Sequence, residues 1–230
     1  YPRSAFDVNI KGTFNVMEAC VQQRVKRLVY SSSASVYGDA DYEPMDEKHP
    51  FNNKNFYGAT KIACEAMLRS YYHRYNLNYV GLRYMNVYGP RQDYHGAYIA
   101  VIMKMLDAID KNENPVIFGD GSECFDFVAV KDCALANICA MKSDIVDEFY
   151  NVGTGIRTSL RELAETLIDL TNNKCQIKYI KKDQKTFVKN RVGSTEKAEK
   201  EIGYKSSISL RAGLLELIKW RKNHQIKISQ

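Results

Sequence analysis

The chain has 230 residues, 45% of them hydrophobic, with a formal net charge of +6. That length can bury one large core or one and a half; no apolar run approaches the roughly 20 residues needed to span a bilayer, and a mild, dispersed basic excess suits a small anionic ligand and does not point to nucleic acid. The cysteines Cys20, Cys64, Cys124, Cys133, Cys139 and Cys175 form no C-x-x-C pair, and His49, His73, His95 and His224 do not alternate with them, so no metal site is expected and a reduced, cytoplasmic compartment is the default.

From Ser4 to Gln23 the residues Phe6, Ile10, Phe14, Val16, Met17 and Val21 recur at helical spacing and predict an amphipathic helix. Arg27-Leu-Val-Tyr30 then runs into Ser31-Ser32-Ser33, which reads as a buried strand ending in a loop. A second helix-strand unit follows, helix from Tyr57 to about Tyr75 and strand from Tyr79 to Met85, closing at Gly89-Pro90. Such alternation favours a parallel sheet with helices packed on it.

Beyond Pro90 the elements shorten. A helix from about Tyr98 to Asp110 precedes strands at Pro115–Phe118 and Phe125–Val130, around the turn Gly119-Asp-Gly121. Helices are expected at Asp132–Met141, Leu160–Asn172, Thr195–Ile202 and Leu210–Asn223, with strands near Phe149–Val152 and Gln176–Tyr179, as in a second, smaller α/β domain. Gly153-Thr-Gly155 stands where a dinucleotide fingerprint could begin, but Thr158 occupies the third glycine position. Ser159-Leu-Arg-Glu162 instead fits a capping box, so a plain strand-to-helix turn is expected. The Lys-rich stretch from Lys174 to Lys200 reads as solvated surface.

The chemistry concentrates in Tyr57-Gly-Ala-Thr-Lys61 at a helix start and in Ser31-Ser-Ser33 at a strand end. Residues four apart share a helical face, so the Tyr57 hydroxyl and Lys61 ammonium can serve one site. At about 5 Å and an effective dielectric near 20, the attraction is roughly 3 kcal/mol, on the order of two pKa units in favour of the phenolate. A tyrosine so placed is expected to act as a base near neutral pH, with a serine hydroxyl from the strand end bonding the substrate oxygen, at the carboxyl ends of parallel strands where such sites form.

Ser31-Ser-Ser-Ala-Ser-Val-Tyr-Gly38, Tyr57-Gly-Ala-Thr-Lys61, Leu82-Arg-Tyr-Met-Asn-Val-Tyr-Gly-Pro-Arg91, and Phe118-Gly-Asp-Gly-Ser122 followed by Asp126-Phe-Val128 resemble, in order and spacing, the NAD-dependent epimerase/dehydratase family, and most of all its UDP-glucose 4-epimerases. Asn9-Ile-Lys-Gly-Thr13 resembles that family's Asn-x-x-Gly-Thr helix. The resemblance implies the C-terminal part of a Rossmann-like, doubly wound parallel sheet over residues 1–92, and a smaller, mainly substrate-binding α/β domain over 93–230 that has the option of returning elements to the first sheet.

It further implies that Tyr57 is the catalytic base, that Lys61 lowers its pKa and holds the nicotinamide ribose, and that Ser33 bridges Tyr57 and the sugar hydroxyl, with Ser31, Tyr84 and Met85 on the cofactor side. Asn86 matches the asparagine that contacts the nucleotide diphosphate; Val116 and Phe118 match the segment bordering the base, though as strand residues they could equally be core. Relatives commonly carry Arg before the Asp-Phe pair to contact the phosphates; here Phe125 stands there, and Arg191 is the substitute candidate, with a solvated surface arginine as the alternative.

The family's glycine-rich turn and first strands are absent, and the sequence starts at Tyr1 without an initiator Met. The expectation is therefore a longer parent enzyme with that turn upstream, and a fragment that alone is inactive. Family 4,6-dehydratases resemble one another in an acidic pair after the active-site hydroxyl residue. Here Ala34 and Ser35 follow, which suits an epimerase: NAD oxidises the sugar at C4 and the transient ketone is reduced on its other face. The expected substrate is a nucleotide sugar, UDP-linked, and the expected assembly a homodimer, with no membrane and no nucleic-acid partner. The competing readings are a nucleotide-sugar dehydrogenase, reductase or decarboxylase, and a non-catalytic NAD-sensing protein.

Overall fold

The computed structural model describes residues 1–93, 100–181 and 188–228, with side chains through residue 224. The chain begins with α1 (Pro2–Ala5), a π-helical turn (Phe6–Lys11) and α2 (Gly12–Gln22). The predicted N-terminal helix is thus present, but its register is reset midway. A π turn adds a residue to the helical repeat, so apolar positions on its two sides no longer share one face. Met17, after the turn, is buried, whereas Phe6, at its start, is 49% exposed.

Strand β1 (Leu28–Ser33) continues through all three serines before a 3₁₀ turn at Ala34–Val36. Helix α3 (Phe56–Tyr75) starts where Asn55 Oδ1 accepts from the Gly58 amide at 2.7 Å, and it stops at Asn76 in the left-handed conformation. Then come β2 (Tyr79–Tyr84), β3 (Asn86–Tyr88), α4 (Val101–Asp110), β4 (Val116–Phe118), β5 (Cys124–Phe125), β6 (Phe127–Ala129), α5 (Val130–Lys142) and β7 (Glu148–Val152). The chain closes with β8 (Thr158–Ser159), α6 (Leu160–Thr171), β9 (Lys178–Ile180), β10 (Asn190–Arg191), α7 (Glu196–Ile202) and α8 (Leu210–Ile228). The start expected for α4 near Tyr98 lies outside the described residues.

The main sheet is parallel, in the order β1-β2-β7, with Leu28 opposite Tyr79 and Ser33 opposite Tyr84. Every residue of β2 but Tyr84 is buried, as befits a central parallel strand covered on both faces. Tyr30, Tyr79 and Phe149 pack with Cys64 and Leu68 of α3 on one face, and Val80 and Leu82 pack with Ala136 and Ala140 of α5 on the other. Both α5 and β7 come from the second half of the sequence. A second core joins Ile102, Met105 and Leu106 of α4 to Leu163 and Leu167 of α6 and Leu214 of α8.

The strand expected over Phe125–Val130 is two strands broken at Asp126, which is fully buried. Its carboxylate accepts from Thr154 N–H at 2.8 Å, Thr154 Oγ1 at 2.7 Å and Gly155 N–H at 2.9 Å. A Cβ on Gly153 would lie 2.3 Å from Asp126 Oδ2. These glycines therefore seat a buried carboxylate in a strand-to-helix turn, and the Ser159–Glu162 capping box opens α6 just beyond it.

Candidate active site

The C-terminal end of β1 and the N-terminal turn of α3 are forced together by a missing side chain. A Cβ at Gly58 would come within 2.5 Å of the Ser35 carbonyl oxygen, so only glycine lets Tyr57 sit beside the loop that follows Ser33. Tyr57 is 46% exposed. Lys61, one turn on, is half-buried; its Nζ donates to the Ser31 carbonyl at 2.8 Å and lies 5.7 Å from the Tyr57 ring centroid and 5.1 Å from that of Tyr30. Burial lowers the Lys61 pKa, and the negative charge available at Cys64 and Glu65 partly offsets it.

Tyr57, Asn55 and Ser35 face Ser4, Val8 and Asn9 across a cleft of ≈740 Å³. Ser33 Oγ accepts from Ser35 N–H at 3.1 Å and so caps the 3₁₀ turn. Tyr84 is held through its hydroxyl by Asn137 Nδ2 at 2.8 Å and by the Ser31 side chain, and burial raises its pKa. Met85, which follows Tyr84 at the end of β2, is 5% exposed and enclosed by Gly153 and Gly193, where added Cβ atoms would fall 2.8 and 2.1 Å from its side chain.

Asn86 starts β3, its N–H bonded to the Asp126 carbonyl at 2.9 Å. Val116 and Phe118 flank a buried Ile117 on β4 and are 38% and 57% exposed, so strand alternation turns them outward and they are not core. Arg191, on β10, lies directly across from Phe125. The structure thus gathers Ser31, Ser33, Tyr57, Lys61 and Tyr84 at one sheet end, while Val116 and Phe118 belong to the separate β4-β9 pair.

Some contributors escaped the sequence reading. Asn9 Nδ2 donates to Thr60 Oγ1 at 2.9 Å and the Asn9 carbonyl accepts from the Cys64 thiol at 3.2 Å, which docks the N-terminal helix on α3. Its signal was present in Asn9-Ile-Lys-Gly-Thr13. Asn55 was visible as a cap residue before a helix. Arg83 and Glu65 carried no such signal: buried on β2 and α3, they pair with Nη2–Oε2 at 2.7 Å and Nε–Oε1 at 3.0 Å. Ser32 Oγ also donates to Glu65 Oε1, at 2.5 Å, while Arg83 Nη1 reaches Tyr37 Oη at 2.8 Å and Tyr37 donates to Asn151 Oδ1 at 2.7 Å. Two hollows of ≈630 and ≈590 Å³ border Arg83, Arg69 and Phe149, on a different part of the surface from the Tyr57 cleft.

A parallel sheet whose first strand ends in a run of serines beside a Tyr–Lys pair at the start of the next helix is the arrangement of a short-chain dehydrogenase/reductase type of enzyme. Residues 1–153 match the model of the NAD dependent epimerase/dehydratase family. The chain belongs to that family. A UDP-glucose 4-epimerase of Mycolicibacterium smegmatis is 31% identical over 217 residues, covering 94% of this chain and 69% of its own. A UDP-N-acetylglucosamine 4-epimerase from Methanobrevibacter ruminantium, solved with UDP-N-acetylmuramic acid, superposes with a TM-score of 0.90 at 34% identity, covering 95% of this chain and 70% of its own. The UDP-glucose 4-epimerase of Thermus thermophilus, solved with NAD, gives 0.84 at 30%, covering 94% and 70%.

The residues present fit the nicotinamide-ribose end of NAD. Lys61 keeps two N–H donors after bonding Ser31, and it stands beside a tyrosine that lines the cleft. Gly153-Thr-Gly155 does not serve the pyrophosphate, since Asp126 already fills that turn. Among the described residues no helix is long and apolar enough to cross a membrane.

Proposed function

We propose that this chain is an NAD-dependent nucleotide-sugar 4-epimerase acting on a UDP-linked sugar. The observation that carries the proposal is the Lys61 ammonium, tied to the end of β1 by the Ser31 carbonyl and set against the Tyr57 ring, with Tyr57 itself open to the cleft. NAD, when bound, supplies the reversible two-electron oxidation at C4. Tyr57 Oη takes the C4 hydroxyl proton and later returns it, Lys61 holds the ribose, and Ser33 positions the sugar oxygen. Ser31 and Tyr84 border the cofactor, Asn86 the diphosphate, and Val116 and Phe118 the base. The neighbours of Ser33 add no acid or base: Ala34 is buried and Ser35 carries a neutral hydroxyl, which agrees with epimerisation and disfavours dehydration.

The test is interconversion of UDP-glucose with UDP-galactose, and of their N-acetyl counterparts, by the NAD-loaded parent enzyme that carries the glycine-rich turn. Turnover of any of these pairs with no net change in cofactor redox state is expected. Net NADH formation or release of CO₂ would select a dehydrogenase or decarboxylase instead, and NAD binding with no turnover a sensing protein. The enzyme works in the cytoplasm, in keeping with six unpaired cysteines, and as a homodimer, whose contact would use the exposed Phe6, Val8, Phe14 and Val16 beside α3. Sedimentation as a monomer at micromolar concentration would rule the dimer out.

A further inference from the structure

Two successive residues at the end of β1 are bonded to two residues one turn apart on α3. The Ser31 carbonyl accepts from Lys61 Nζ at 2.8 Å on the exposed side, and Ser32 Oγ donates to Glu65 Oε1 at 2.5 Å on the buried side. The first contact uses a group that the reaction needs elsewhere: an ammonium that turns toward a ribose shares or leaves the Ser31 carbonyl. Nothing in the cleft competes for the second, because Ser32 and Glu65 are both buried and neither lines it.

Ser32 is the residue before Ser33, and Ser33 is the last of its strand. Among the described residues β1 is paired on one side only, with β2, so its end needs a second restraint to stay in register with α3. The Glu65 carboxylate supplies one. Arg83 binds both of its oxygens, which compensates the buried charge, and Oε1 has capacity to accept from Ser32 as well. Glu65 also lies one helical turn from Lys61. Burial depresses the Lys61 pKa, and the negative charge at Cys64 and Glu65 offsets part of that. One side chain thus reaches both the strand that carries Ser33 and the ammonium beside Tyr57.

We propose that Glu65 is a positioning residue of the active site, holding the strand end that carries Ser33 against the helix turn that carries Tyr57, through Ser32, while Lys61 is engaged by a ligand. The inference rests on the nucleotide-sugar epimerase reading, and its test separates the two. The pH dependence of kcat and KM for UDP-sugar epimerisation is measured in the NAD-loaded parent enzyme, as wild type, Glu65→Gln and Ser32→Ala, at a temperature where circular dichroism shows each to be folded. Glu65→Gln keeps the volume and removes the charge. Its kcat is expected to fall about ten- to a hundredfold with KM within about threefold, and its alkaline limb to move to lower pH, because nothing from position 65 then offsets the burial of Lys61. Ser32→Ala leaves the Arg83–Glu65 pair intact; its kcat is expected to fall about three- to tenfold with the limb in place. If Glu65→Gln only lowers the melting temperature, with kcat and the limb as in wild type, the pair is a clamp and the inference is wrong while the epimerase reading stands. Ser32→Ala with kcat within about twofold of wild type overturns it too, and decides alone if Glu65→Gln does not fold. Wild type that turns over no UDP-sugar overturns both.

Discussion

Lys61 and Arg83 are both cations set against aromatic rings at the junction of α3 with the main sheet, yet they are provided for in opposite ways. Arg83 lies 5.1 Å from the ring centroids of Tyr37, Phe51 and Phe149 and has Glu65 across from it. Burial opposes its charge, but the bonds from Glu65 and Tyr37 outweigh that and its pKa is raised. Lys61 has one carbonyl and two tyrosine rings, and its pKa is lowered. A cation with most of its donors engaged by a buried carboxylate, a hydroxyl and a carbonyl holds elements together, whereas one with a single carbonyl bond keeps donors available to a ligand.

The contrast can be broken by substitution. Tyr57→Phe should reduce epimerisation by about 10²–10⁴-fold, the usual loss of a general base, with the melting temperature unchanged because the ring is retained; unchanged turnover would remove Tyr57 from the mechanism. Arg83→Met should do the reverse. It leaves Glu65 buried without its partner, so stability should fall by about 3–5 kcal/mol in denaturant titration, and a loss below about 1 kcal/mol would mean that the pair is not the clamp it looks. Tyr37→Phe strips one hydroxyl from the same network and orphans Asn151 Oδ1, for about 1–3 kcal/mol. The smallest effect sharpens the Lys61 side. Its ammonium is the working form and burial depresses its pKa, so activity should be lost with rising pH below the ordinary lysine value of about 10.4. In Lys61→Arg that alkaline limb should move up, whatever the absolute rate; a limb that stays in place assigns it to another group.

How much of this could be read beforehand depends on range along the chain. The helix-strand alternation, the Tyr57–Lys61 spacing and the Ser159–Glu162 box are local patterns, and each is present in the structure. What was not legible depends on pairing. Residues 125–130 look like one strand because apolar periodicity cannot register that Asp126 must turn inward to receive the amides of Thr154 and Gly155. Arg83 and Glu65 are 18 residues apart on different elements, and nothing in either neighbourhood announces the other. Met85 shows the converse: its motif is recognisable, but its burial is set by Gly153 and Gly193, which lie far along the sequence. The exposure of Val116 and Phe118 likewise follows from the register of β4 with β9.

The widened turn at Phe6–Lys11 can be regarded as a one-residue insertion that was never removed. Its carbonyl and side chain at Asn9 anchor Cys64 and Thr60, while Ser4 before the turn and Val8 within it form part of the far wall of the cleft. Deleting Ile10 would let the segment relax to an uninterrupted α-helix. Asn9 would then leave the bulged position from which it docks on Thr60 and Cys64, and the wall would shift although no lining residue had changed. Shortening this helix by one residue is therefore a different kind of perturbation from any point substitution: it leaves the reacting groups untouched and alters the shape of the space in front of them.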